Sequence, residues 1–115
     1  MDGQQNAFDE YQKYAHTTSL NTRIHGDEIL YPVLGLADEA GEVVGKFKKL
    51  YRDKNGVMDE EFKKMISKEL GDCEWYLAEI CTKLGIKLKD VADGNIEKLL
   101  DRKERNKLHG SGDER

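Results

Sequence analysis

Two short stretches carry residues whose types and spacing could do chemistry. One is Glu39-Ala40-Gly41-Glu42 and the other is Glu69-Leu70-Gly71-Asp72. Each reads acid, any residue, Gly, acid. On a helix, side chains three apart share a face, so each stretch presents paired carboxylates. Two such helices packed together gather four carboxylates, which a poorly solvated cleft tolerates only with cations to neutralise them. Oxygen-only donors suit Mg²⁺ and Mn²⁺. The spacing therefore predicts a magnesium-type site on helices.

The elements that must position these acids follow from the apolar pattern. Phe8, Tyr11, Ala15 and Thr18 recur at helical spacing and predict a first helix near 5–18. Asp27 could cap a second helix over about 28–51, with Pro32 tolerated in its first turn. Its stripe is Ile29, Val33, Leu36, Ala40, Val43, Phe47 and Leu50. Residues 52–56 signal a turn. A third helix starts near Met58 or Asp59, carries Phe62, Ile66, Cys73, Tyr76, Leu77, Ile80 and Leu84, and ends at Gly85 as a left-handed cap. A fourth runs over about 89–106 with Val91, Ile96, Leu99 and Leu100. Residues 1–5 and 107–115 read as loose ends of a single domain spanning 1–115. No strand of useful length is expected.

A lone Glu pair on a helix is usually a solvated face. Here Glu39 and Glu69 fall on the apolar stripes rather than opposite them, and the pattern occurs twice. Each motif also holds a helix-interior Gly, which costs about 1 kcal/mol relative to Ala. That cost is understandable if the helices must approach closely. Asp38 reads either as a surface acid or as an extra acid that helps a water lose its proton. Di-iron bundles use Glu-x-x-His; neither Glu39 nor Glu69 has a His three residues on, so iron is disfavoured.

The 115 residues carry a net charge of −4 and are 37% charged, with a mean hydropathy of −0.79. A dedicated nucleic-acid surface is not favoured by that balance. So much charge in so short a chain fits wet outer faces, or a core completed across an interface between copies. No apolar run is long enough for a membrane helix and no signal-peptide pattern is seen. Cys73 and Cys81 would lie about 12 Å apart along one helix, too far for a disulfide. Free thiols at apolar positions suggest a reducing, cytoplasmic setting.

Cations follow the acids. Lys46, Lys48, Lys49, Arg52 and Lys54 suit a helix C-terminus, and Lys49 is also a candidate substrate contact. Asn95, Lys98 and Arg102 stand at i, i+3 and i+7, so one helix face offers an amide, an ammonium and a guanidinium, the latter two good phosphate binders. Trp75 could stack on a base but reads better as an interface residue. The Gly110-Ser111-Gly112 tail could bring backbone N–H groups to a phosphate or be an ordinary flexible end.

The order Leu36-x-x-Glu39-x-Gly41-Glu42, Glu69-Leu70-Gly71-Asp72, then Asn95-x-x-Lys98-Leu99-x-x-Arg102 resembles the MazG-type nucleotide pyrophosphohydrolases, the all-α nucleoside triphosphate pyrophosphatases. The likeness covers roughly residues 28 to 113. The ending His109-Gly110-Ser111-Gly112-Asp113 is similar to short, single-domain members, many from phages. One departure is Asp38-Glu39 where the family often has Glu-Glu. The resemblance implies an all-α, four-helix MazG-like bundle completed by homo-oligomerisation, as a homodimer or a dimer of dimers. It implies Mg²⁺-dependent hydrolysis of (d)NTPs to (d)NMPs and pyrophosphate, in the host cytoplasm if the chain is phage-encoded. By position, Glu39, Glu42, Glu69 and Asp72 are the metal ligands, Glu39 and Asp38 the catalytic acids. Lys98 and Arg102 hold phosphates, with Asn95 near sugar or phosphate. Two other functions remain: a dUTPase-like member with strict base choice, and a non-catalytic helical interaction module.

Overall fold

The computed structural model describes residues 6–106 and 110–113. Four helices follow in order: α1 (Ala7–Thr17), α2 (Leu30–Lys54), α3 (Glu60–Leu84) and α4 (Leu88–Glu104). Local capping chemistry sets their ends. The Asn6 side chain accepts from the Asp9 amide at 2.9 Å, and the Asp59 carboxylate accepts from the Phe62 amide at 2.8 Å, each satisfying an orphan donor of a first turn. Asp27 accepts from the amide of Ile29, just ahead of α2. Asn55, at φ 55°, closes α2 in the left-handed region, and Gly85, at φ 72°, closes α3 where a Cβ would be strained. Between α1 and α2 an isolated bridge joins Ile24 and Asp27; no strand forms among the described residues.

The long α2 and α3 form an antiparallel hairpin around Leu50, Phe62 and Ile66, with Val43 and Phe47 packed alongside. The Phe47 and Phe62 rings meet edge to face, 5.1 Å between centroids. A second small core joins Ala15 of α1, Ala78 and Cys81 of α3 and Leu88 of α4. Gln12 ties α1 to the α3–α4 turn: it donates to the Ile86 carbonyl and accepts from the Leu88 amide. Both cysteines are free.

All four expected helices form, but α2 runs on through Lys54, three residues into the expected turn, because the left-handed backbone that ends it falls at Asn55 and Gly56. Many stripes meet nothing. Val33, Leu77, Leu84, Val91, Ile96, Leu99 and Leu100 are all exposed. Helix α4 packs on α1 and α3 and makes no contact with α2. The radius of gyration is 17.4 Å, against about 13 Å for a compact chain of this size. No described helix is long and apolar enough to cross a membrane.

Candidate metal centre

The hairpin brings Glu39 of α2 against Glu69 and Asp72 of α3. Each offers a carboxylate oxygen, and the three oxygens lie within 4.8 Å of one another. Glu39 and Glu69 are half-buried and Asp72 is exposed. Glu42 and Asp38 are exposed and stand outside this trio. Burial raises the Glu39 carboxyl above the ordinary glutamate range, and the charges of Asp72, Glu69, Asp38 and Glu42 push it further. The Cys73 thiol is also raised, by burial first and then by Glu39, Asp72 and Glu69. The hairpin thus holds a concentrated negative field, and none of the trio forms an ion pair with a described residue.

Beside the acids lies a cavity of about 290 Å³ lined by Glu39, Asp72, Trp75 and Tyr76. Its aromatic wall is fixed on several sides. The Trp75 ring meets Tyr76 edge to face at 5.0 Å, and its Nε1–H donates to the Ala15 carbonyl and the Thr18 hydroxyl. Trp75 is therefore an interface residue between α1 and α3 that also borders the acids. Tyr76 lies 6.3 Å from Tyr31; burial, followed by a hydrogen bond with Tyr31, pushes its hydroxyl up to about 12.

The glycines distribute differently from expectation. A Cβ at Gly41 or Gly71 would meet nothing within 4 Å, so close helix approach does not account for either. Gly35 is the one that matters: a Cβ there would stand 2.1 Å from the Tyr76 ring. One turn before Glu39, Gly35 makes the notch that lets Tyr76 lie against α2. Tyr76 falls in the apolar stripe of α3, while the role of Gly35 emerges only from the packing of α2 on α3. The available signal was a small residue four before a candidate ligand on the same helix face.

The candidate phosphate contacts sit elsewhere. Asn95 is exposed on α4. The Lys98 ammonium donates to the Asp113 carboxylate at 2.9 Å. Arg102 is only 3% exposed; its guanidinium donates to both the Asp113 carbonyl and carboxylate, while its Nε is buried without a hydrogen bond. The two cations hold the Asp113 carboxyl below its ordinary range. The described part of the tail is therefore docked on α4; His109 lies outside the described residues. Lys49 is exposed and borders a separate cavity of about 410 Å³ at the far end of the hairpin. One chain thus brings together three of the four proposed ligands and leaves the α4 cations apart from them.

The model of the MazG nucleotide pyrophosphohydrolase domain matches residues 30–106. The chain belongs to the MazG family. The matched span of this MazG chain includes both acidic motifs and the α4 cations, and leaves α1 and the Asp113 tail outside. The chain is also 44% identical over 85 residues to the Gene 37 protein of Mycobacterium phage L5, covering 74% of this chain and 75% of that one. No solved structure matches it.

Proposed function

We propose that this MazG chain hydrolyses ribo- or deoxyribonucleoside triphosphates to the monophosphate and pyrophosphate, with Mg²⁺ or Mn²⁺ held by Glu39, Glu69 and Asp72 and joined by Glu42. The observation that carries the reading is the trio itself: three carboxylates within 4.8 Å of one another, one with a raised pKa, and no cation among the described residues paired with them. Paired acids elsewhere in the chain show that this arrangement is not the general rule. The donors are all hard oxygens, which fits Mg²⁺. A bound divalent ion supplies neutralising charge for the triphosphate and makes a water more acidic.

The chain's residues then divide the work. Asp38, exposed beside Glu39, is the carboxylate proposed to take the proton from the attacking water. The water oxygen bonds to the α-phosphorus as its bond to the bridging oxygen of the β-phosphate breaks. Pyrophosphate leaves with the electron pair. Lys49, Lys98 and Arg102 are proposed to grip phosphates and Asn95 to sit near sugar or phosphate. The Trp75 and Tyr76 rings offer the nucleoside an apolar face.

The same reading makes the chain a homodimer or dimer of dimers. The bare stripe of Val91, Ile96, Leu99 and Leu100 and the open 17.4 Å radius support it. Sedimentation at micromolar concentration showing only a 13.2 kDa species would overturn it.

The test of the activity is a panel of the common NTPs and dNTPs with Mg²⁺ in heavy-oxygen water. Monophosphate and pyrophosphate are expected in equal amounts, with the label in the monophosphate. Diphosphate with labelled orthophosphate would refute the reading. Turnover of a single base alone would narrow it to a strict, dUTPase-like member.

A further inference from the structure

A cavity of about 410 Å³ lies between the C-terminal half of α2 and the start of α3. Its lining includes the apolar Leu50, Phe62 and Met65 and the cations Lys46, Lys49 and Lys54. Three acids also line it: Asp53, which is paired with Arg52, Asp59, which caps α3, and the exposed Glu61. Lys46 follows Glu42 by four residues and Met65 precedes Glu69 by four. On a helix rising about 1.5 Å per residue, the cavity therefore opens about 6 Å along the hairpin from the acids.

Lys46 is half-buried and forms no ion pair or hydrogen bond with any described residue. That is notable for its position, because a Glu four residues ahead of a Lys is the favourable order for a helical ion pair, and Glu42 occupies that place. Lys49 likewise bonds to no described residue; the Asp53 carboxyl is lowered first by its hydrogen bond with Arg52, with Lys49 adding only a minor effect at a distance. Lys98 and Arg102 differ: both already share Asp113, and their helix does not contact α2. Lys46 and Lys49 thus line a cavity on the acid-bearing hairpin without an ion pair to a described residue; Lys68, one residue before Glu69, is likewise unpaired but lies outside that lining. The apolar part of the lining lowers the local dielectric and strengthens attraction for an anion.

We propose that Lys46, with Lys49 one turn further on, binds the β- and γ-phosphates, so that this end of the cavity receives the departing pyrophosphate. The inference deepens the proposed function and rests on it. A triphosphate whose α-phosphorus faces the acids then runs along the hairpin towards the lysines, with the nucleoside on the opposite, aromatic side at Tyr76. Lys46 offsets the charge that grows on the leaving group, and no proton need move at its ammonium.

Binding of pyrophosphate with Mg²⁺ to the full-length protein, followed by titration calorimetry, tests this without turnover. Lys46→Gln is expected to weaken binding by roughly tenfold or more, the worth of a charge-assisted contact, and Lys46→Arg to restore most of it. Lys49→Gln should weaken it in the same direction, which keeps the test open if the Lys46 variant folds poorly. Lys54→Gln alters a lysine of the same cavity nearer the turn and should change binding less than about twofold. In turnover assays Lys46→Gln should raise KM and relieve pyrophosphate inhibition together. Wild-type binding by Lys46→Gln, or an equal loss in Lys54→Gln, would overturn the inference while leaving the metal site standing. Wild-type binding by Glu69→Gln would sink the metal-site reading and the subsite with it.

Discussion

Two sets of carboxylates on this scaffold are handled in opposite ways. Glu79 is 1% exposed, deeper than any other acid described, and it meets His16 Nδ1 at 3.1 Å. Glu28 is bonded to Lys83 at 2.7 Å and to Arg23 at 3.0 Å, and its pKa is lowered by the Lys83 hydrogen bond first. Glu39, Glu69 and Asp72 are less buried than Glu79 yet pair with no cation among the described residues, and the Glu39 pKa moves up instead of down. The first set fastens helices together. The second stores repulsion that a cation from outside can relieve. Burial alone does not separate them; pairing does.

The largest effect should come from the unpaired set. Glu69→Gln is expected to lower turnover by at least about a hundredfold, since it removes one of the proposed anionic ligands while keeping the shape. Its melting temperature without metal should not fall, because one repelling charge has gone. Mg²⁺ should raise the wild-type melting temperature by mass action and leave the variant nearly unmoved. Equal Mg²⁺ stabilisation of both proteins would break the contrast.

The paired set should answer the other way. Glu79→Gln leaves a buried amide opposite His16 and is expected to cost about 1–3 kcal/mol of stability. Turnover per folded molecule should stay within about twofold of wild type, because Glu79 is paired with His16 and lies outside the acid trio. A denaturant melt beside a rate measurement checks both. A large loss of rate at unchanged stability would move Glu79 into the active centre.

A comparison of glycines separates positioning from mere presence on the helix. Gly35→Ala forces a methyl into the Tyr76 ring and should destabilise by about 1–3 kcal/mol before the helix preference of Ala offsets part of it. Gly41→Ala meets open space and should stabilise by up to about 1 kcal/mol. Opposite signs in thermal melts are expected. Equal signs would remove the notch argument for Tyr76.

Much of this was legible because it is local. Asp59 and Gly85 end α3 through their own side chain and backbone, so the sequence alone marks them. The acidic motifs were legible because helical spacing fixes which residues share a face, and Glu39, Glu69 and Asp72 do converge. Periodicity says which face is apolar, but not what covers it. Val91, Ile96 and Leu99 form a good stripe that the chain itself leaves bare. Nor does spacing reveal that Asp113 engages Lys98 and Arg102 from the tail, or that Gly35 rather than Gly41 meets a neighbour. Those facts depend on contacts between residues distant in the chain or on tertiary packing.

The smallest effect concerns the paired set under acid. Glu28 lies ahead of α2 and its carboxylate holds Lys83 of α3, a side chain 11% exposed. The groups facing it are Lys83, Arg23 and His16, all of which favour its charged form. Its folded pKa therefore lies below its unfolded value, near about 4.3 for a glutamate. Such a group adds stability that is fully present above the unfolded value and is lost as pH falls through the folded one. Glu28→Gln removes that contribution at every pH. The melting temperature of wild type should accordingly exceed that of the variant by a constant, small margin near neutrality, and the margin should shrink below about pH 4.3. Glu39 contributes the reverse slope in both proteins, since its raised pKa makes acidification relieve repulsion, so it cancels from the difference. A margin that widens on acidification would mean that Lys83 does not hold Glu28 as a carboxylate. The division between fastening acids and waiting acids would then fail at the more exposed of the two fastening acids.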